Sequence, residues 1–370
     1  MMDLLKKATK LPFIVSTKDI IFEVGSGTSV SLVPREPIPE DAEVSITFDD
    51  NDIIDTFGSF KLEKGSSRTI FIPIHSKEVA GRCVMSFHTK SKAEFLQHLY
   101  KIRMNIKVVH HIWFGYLSVM LGWGYFLLWG LVYYPQVYQN WKRRSVVGLS
   151  FDYLSLNLTG HFCFMLFNVA MYYNNNVQKD YHKIHPRGEL PVKEQDVYFS
   201  VHAVTMNLVL VLQCLMLDRG DQRIGISMGV LLCGLWISIA SGLVTAVVEK
   251  VRWLTYLYYL SYIKVGTTPV KYAPQVYLNY SRKSTEGWSV QSVMCDFGGG
   301  VMCFMQMATD AFNNDDWNGT LGNPGKLGLG LIAIVFDSIF LVQHFILYRN
   351  SGLNSAGRKR LESGNEKQLK

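Results

Sequence analysis

Within the long apolar stretches of this 370-residue chain stand a few residues able to do chemistry, above all Lys264, Lys271, Asp296 and Asn157. A charge placed inside a bilayer costs a few kcal/mol, so such groups tend to mark ion or substrate paths. Lys264 and Lys271 are seven residues apart, two turns of helix, and so share a face. Asp296 and Asn157 sit on other apolar stretches, at positions that an internal repeat makes equivalent. A zwitterionic amino acid needs this set: ammonium groups for its carboxylate, a carboxylate and an amide for its ammonium. Each residue also has a plainer reading. The lysines can snorkel to an interface, Asp296 and Asp337 can hydrogen-bond a neighbouring helix, and Asp196 can cap the helix it opens. Burial and a nearby lysine act on Asp296 in opposite directions, which would poise it to take a proton from an acidic compartment and release it at cytosolic pH.

The elements that must position these residues follow from how polarity is distributed. Charged residues crowd positions 1–110 and the tail after Tyr348. The formal net charge of +7 does not point to nucleic acid, because the basic residues sit in short clusters beside apolar segments, such as Lys142, Arg143 and Arg144. From Ile20 to about Thr89 the pattern alternates with period two. Val44, Ile46 and Phe48 form one apolar row, and Ile70, Ile72 and Ile74 another, which predicts short strands in a small β-sandwich. Seven apolar spans follow, near 113–137, 149–172, 196–217, 225–248, 252–279, 289–311 and 328–348. Each approaches the ~20 residues that cross a bilayer core. The first, second, fifth and sixth carry internal polar residues, so hydropathy alone scores them weakly. The six cysteines include no C-x-x-C pair and read as inert buried thiols. No metal cluster, cofactor motif or nucleophile–base pair emerges, so an enzyme is not expected. Asp296-Phe297-Gly298 lacks the Gly-rich and catalytic-loop companions of a kinase.

Lys and Arg flank the loops after spans 1, 3 and 5 and fill the tail, which puts the C-terminus in the cytosol. An odd number of spans then leaves the β-domain in the lumen or outside. The opposite loops carry Lys179, Lys183, Arg187, Lys193, Lys250, Arg252 and Lys326 over more residues. Leu11–Val15 is too short for a signal-peptide core, and whether a cleaved signal precedes it is left open.

The most informative feature is the repeat. Residues 134–160 read YPQVYQNWKRRSVVGLSFDYLSLNLTG and residues 273–299 read APQVYLNYSRKSTEGWSVQSVMCDFGG. Ungapped, they share Pro, Gln, Val, Tyr, Asn, Arg, Ser, Gly, Ser and Gly in order. The third spans also align, pairing Asn207 with Asp337 and Gln213 with Gln343. The expected plan is therefore a mainly α membrane protein with an N-terminal β-sandwich-like domain (1–110). Two parallel three-helix repeats (111–217 and 251–349) flank a linker helix (218–250), and a cytoplasmic tail (350–370) ends the chain. Pro135 and Pro274 should kink their helices and serve as hinges, with the amides of Gln136 and Gln275 able to satisfy freed backbone groups.

On the duplicated Pro-Gln motif, and on the strings SFDYLSLNLTG, YIKVGTTPVKYAPQ, KSTEGWS, NNDDW and VFDSIFLVQHF, the chain resembles the PQ-loop family from about Gly122 to Arg349. The likeness is to its proton-coupled cystine exporters of lysosomes and vacuoles; SWEET carriers and the KDEL receptor lack such an N-terminal domain. The resemblance implies cystine contacts at Asn157, Lys264, Lys271, Tyr272 and Asp296, proton-linked acids at Asp196, Asp296 and Asp337, and no cofactor beyond the coupling proton. Ser292 stands where the family carries Asn. Asn318-Gly-Thr is the accessible glycosylation sequon, and the tail, ending EKQLK, lacks the family's tyrosine sorting signal. The alternative is an exporter of cationic or other amino acids with the same fold, although two lysines in the site disfavour a cationic ligand.

Overall fold

The computed structural model describes residues 11–55, 58–147, 149–285 and 290–349, and for Glu94, Lys271, Pro274, Leu278, Thr320 and Leu321 the backbone alone. The tail expected over 350–370 lies outside the described residues. The chain forms two compact units, the first gathering residues up to 117 with 181–189 and 308–319, the second the remainder.

In the first unit the period-two alternation becomes two sheets. β1 (Phe13–Val15), β3 (Gly27–Pro34) and β6 (Ile70–His75) make one, all antiparallel. The other runs β2 (Asp19–Glu23), β8 (Arg103–Val109), β7 (Gly81–Thr89), β4 (Ala42–Phe48) and β5 (Ser59–Leu62), with β2 parallel to β8. Alternate residues of both sheets enter one core, among them Val30, Leu32, Ile72 and Ile74 from the first and Val44, Ile46, Met85 and Ile106 from the second. The two rows read from sequence are thus the facing walls of a sandwich. The final strand, β8, lies beyond the alternating stretch recognised in the sequence and is inserted between β2 and β7.

Segments 181–189 and 308–319 join this unit through polar contacts. Arg187 holds Asp50 and donates to Asp52 at 2.6 Å, and its backbone carbonyl accepts from Arg82 at 3.1 Å. Asp315 accepts from the Ala80 amide at 3.1 Å and pairs with His110 at 2.9 Å. The two carboxylates beside Arg187 raise its pKa further. Asn318 of the glycosylation sequon is exposed.

Cys83 lies at the centre of the sandwich, and burial pushes its thiol up to about 12. At pH 8 only about one thiol in 10⁴ would then be the reactive thiolate. Iodoacetamide on the native protein at pH 8, followed by peptide mass spectrometry, is expected to leave Cys83 unmodified until denaturant is added.

The second unit is helical, and three of the helices named below have an end (112–117, 181–184 and 308–313) that belongs to the first unit. α1 (Ile112–Leu131) leads into α2 (Tyr133–Arg143), and α3 (Phe151–Tyr173) is followed by the short α4 (Asn175–Ile184). α5 (Glu194–Met216), α6 (Ile226–Val247), α7 (Trp253–Arg282), α8 (Val290–Asn313) and α9 (Pro324–Val342) complete it, α9 running on as a π turn over Gln343–Leu347. Among the described residues, 112–143, 151–173, 194–216, 226–247 and 324–347 are long and apolar enough to cross a membrane. The chain is therefore a multi-pass membrane protein. α7 and α8 have the length, 30 and 24 residues, but carry Lys264, Lys271, Asp296 and Asp310. α6 presents Ile226, Val230, Ile237 and Val247 outward, as a helix in lipid does.

The two Pro-Gln helices differ. Pro135 has no N–H for the carbonyl of Leu131, and the helix breaks at Val132. α7 runs unbroken through Pro274. Both end alike, on a left-handed residue at the same repeat position, Arg144 with φ 53° and Lys283 with φ 51°. Gln136 and Gln275 do not turn to the carbonyls freed by proline. Gln136 donates to Asn140 (2.8 Å), which donates to Gln213 (2.9 Å), which donates to the carbonyl of Val137 (2.9 Å). The second repeat makes the same chain from Gln275 through Asn279 and Gln343 to the carbonyl of Val276, at 2.9, 3.1 and 3.1 Å. A glutamine from the third helix of each repeat thus satisfies the backbone beside the motif.

Candidate functional site

A cavity of about 440 Å³ opens among α1, α2, α3, α5, α7, α8 and α9, a size usual for small-molecule sites. Each polar side chain in it is placed by a local feature of its helix. Ser150 caps α3 by accepting from the Tyr153 amide at 3.2 Å, which starts the helix that carries Asn157 and His161 one turn apart on one face. Gly160 lets α3 approach α7. A Cβ there would stand 2.5 Å from Thr267 Oγ1 and 3.1 Å from Lys264 Cδ. Its repeat partner Gly299 does the same for Trp129, whose ring would meet a Cβ at 2.6 Å. Trp129 Nε1 donates to the carbonyl of Asp296 at 3.0 Å, tying α8 to α1 beside the cavity.

Lys264 is 1% exposed and lines the cavity with Asp296, Tyr272, Asn157 and Ser292. A buried ammonium and a carboxylate thus face one space. The Tyr272 hydroxyl donates to Asp296 Oδ2, and its ring stacks on Phe336 at 5.4 Å. Asn157 Nδ2 donates to Asn207 Oδ1 at 2.9 Å, while Asn157 Oδ1 is buried without a hydrogen-bond partner. An unsatisfied buried acceptor costs about 1–3 kcal/mol, so this oxygen is suited to a ligand N–H.

Asp337 is fully buried on α9, outside the set lining the cavity. Asp196 is also elsewhere. At the third position of α5 it accepts from the Lys193 amide at 2.8 Å and from the Tyr125 hydroxyl, and it pairs with Lys326 Nζ at 2.9 Å. Lys326, counted from sequence among loop charges, is 4% exposed in the first turn of α9. It donates to Gln306 at 2.6 Å and lies 5.1 Å from the Tyr125 ring centre. Gln136 and Gln275 reach the cavity wall; Pro135 faces a separate groove with Tyr134 and Tyr138. Lys271 and Pro274 lie on α7, but their side chains are outside the described residues.

Sequence reasoning did not single out Tyr133, His161 and Asn207, which also line the cavity. The signals were present: His161 is one helical turn after Asn157, and Tyr133 is the repeat counterpart of Tyr272. Asn207 is the repeat counterpart of Asp337. The first repeat carries Asn157 and Asn207 where the second carries Asp296 and Asp337, amides against acids at both positions.

The PQ loop repeat family matches residues 117–177 and 256–316. A cystinosin from Bos taurus is 42% identical over 247 residues, covering 67% of this chain and 67% of that protein. A cystinosin from Drosophila melanogaster is 34% identical over 346 residues, covering 92% of this chain and 86% of its own. A cystine transporter from Saccharomyces cerevisiae is 26% identical over 254 residues, with 64% and 95% covered.

Proposed function

The chain belongs to the cystinosin family of PQ-loop proteins, and on that premise we propose that it is a proton-coupled transporter exporting cystine from an acidic lysosomal or vacuolar lumen to the cytosol. The observation that carries this reading is the cavity holding Lys264, Asp296 and the orphaned Asn157 Oδ1 together. One amino-acid head sets its carboxylate against Lys264 and its ammonium against Asp296 and Asn157. Lys271, one further pair of turns along α7, serves the second head, with Tyr272 beside it. On this reading all seven long helices cross the bilayer as two three-helix repeats about the linker α6. The sandwich is luminal and the tail cytosolic.

Coupling follows from the exchange of amides for acids. Asn157 and Asn207 hydrogen-bond each other as neutral groups. Two carboxylates at the equivalent places repel unless one is protonated. A proton from the lumen on Asp296 or Asp337 therefore relieves the second repeat, and its loss to the cytosol resets it. Asp196 enters the same cycle as the acid whose protonation would release Lys326. The kinked Pro135 helix and the Pro274 helix carry the hinge motion.

The test is uptake of labelled cystine by cells bearing the protein at their surface, at imposed external pH from 5.5 to 7.5. Wild type should show saturable uptake that rises with external acidity. Lys264→Ala, at equal surface expression, should raise the apparent KM at least tenfold, since it removes a charge-assisted bond of about 1.5–3 kcal/mol. Uptake indifferent to pH, or an unchanged KM in Lys264→Ala, would sink this reading.

A further inference from the structure

The hydrogen-bond directions in the first repeat are fixed by one backbone carbonyl. Asn207 Nδ2 donates to Ala203 O at 2.7 Å and to the Tyr133 hydroxyl oxygen at 3.3 Å, which uses both its hydrogens. That orientation turns Asn207 Oδ1 to Asn157. Tyr133 accepts from Asn207 and still has its own proton to give, and His161 Nε2 stands 3.2 Å away to receive it. A neutral His161 that accepts this proton at Nε2 carries its own on Nδ1. The ring is 4% exposed, lines the cavity and meets Phe199 edge-on at 6.0 Å. In the second repeat the counterpart Tyr272 gives its proton to Asp296, and the position of His161 is Gly300. In that arrangement each repeat hands its tyrosine proton to a different titratable acceptor.

We propose that His161 is a second proton-binding group of the cavity, a positioning residue that acts through Tyr133 on affinity for a carboxylate-bearing substrate. The proposal rests on the transport reading above. One proton taken up at Nε2 reverses the bond: the imidazolium N–H donates to the Tyr133 oxygen, which keeps its bond from Asn207 on the other lone pair. The Tyr133 O–H, no longer engaged, turns into the cavity and donates to a substrate carboxylate. Loss of the proton from Nε2 restores the first arrangement. Affinity therefore rises as pH falls through the His161 titration, and the proton need not pass through Asp296. The titratable groups around the ring are Tyr133 on α2, Tyr153 on its own helix, His202 on α5 near Tyr133, Lys264 and Tyr272 on α7, and Asp296 on α8.

Two measurements test this. In surface uptake, the wild-type KM for cystine should fall about fivefold from pH 7.5 to 5.5, the worth of one gained hydrogen bond. His161→Gln keeps a hydrogen-bonding side chain but cannot titrate, and should hold KM at the alkaline value throughout. Tyr133→Phe should do the same, and the double variant should be no worse than either. Proton charge moved per cystine should be retained in His161→Gln. A wild-type KM slope in that variant, or additive losses in the double, would overturn the proposal. Independently of any substrate, ¹⁵N-histidine spectra of the purified full chain should show one neutral Nδ1–H ring at pH 7.5 that protonates by pH 5.5 and is missing from His161→Gln. A ring neutral over the whole range refutes it. A ring that titrates in a protein moving no cystine faults the substrate assignment instead.

Discussion

Asp296→Asn is expected to abolish the proton current linked to cystine while leaving the protein assembled in the membrane. The variant makes the second repeat resemble the first, where Asn157 and Asn207 already form a stable bonded pair, so folding has a precedent within the same chain. The Tyr272 hydroxyl can donate to an amide oxygen as it does to Asp296 Oδ2. On the proton-coupled reading, what is lost is a site that gains and releases a proton. An amide can bind substrate, but it cannot carry charge through a cycle. Asp337→Asn, at a buried position outside the cavity lining, should reduce the current to a lesser degree. Electrophysiology on surface-directed protein reads both. If Asp296→Asn still moves protons with cystine at unchanged pH dependence, the coupling acid lies elsewhere, and Asp337 and Asp196 are next to be tested.

Lys326→Met is expected to destabilise the helical unit by about 3–5 kcal/mol, the scale for removing one partner of a buried ion pair. Lys326 and Asp196 side chains are 4% and 2% exposed, so solvent does little to screen the charge left behind. The Tyr125 hydroxyl and the Lys193 amide would still hold Asp196 but cannot neutralise it. Adding Asp196→Asn should recover part of the loss, because a neutral amide keeps the Lys193 contact. Thermal unfolding in detergent, followed by tryptophan fluorescence, measures each variant. Equal stability of Lys326→Met and wild type would mean that the pair is solvated in the working protein.

Much of this arrangement is readable in the chain, for identifiable reasons. Strand alternation in rows such as Val44, Ile46 and Phe48 is local, and so is the length of an apolar span. The repeat aligned Asn157 with Asp296 across 139 positions because both copies retained the Pro-Gln-Val-Tyr frame. Lys264, Asp296, Asn157 and Tyr272 accordingly meet in one cavity. The rest is set by distant partners. Lys326 looks like a loop charge until Asp196, 130 residues earlier, is seen beside it. Nothing local in 181–189 or 308–319 announces that these stretches join the β-sandwich through Arg187 and Asp315. Gln213 and Gln343 read as one more matched pair; only the helix packing shows them bonding the backbone at Val137 and Val276.

That matched bonding has a use as a molecular ruler. Each glutamine–asparagine–glutamine chain rivets the motif helix to the third helix of its own repeat, α2 to α5 and α7 to α9. Helices joined in this way translate and rotate as one lever, so any rocking during the cycle must fall between levers. Spin labels on α2 and α5 should keep a single separation at every pH and cystine concentration. A pair on α2 and α7 should show two separations whose populations trade as the pH is lowered. Asn140→Leu, which cuts the first rivet, should broaden the α2–α5 distance without moving the α7–α9 one.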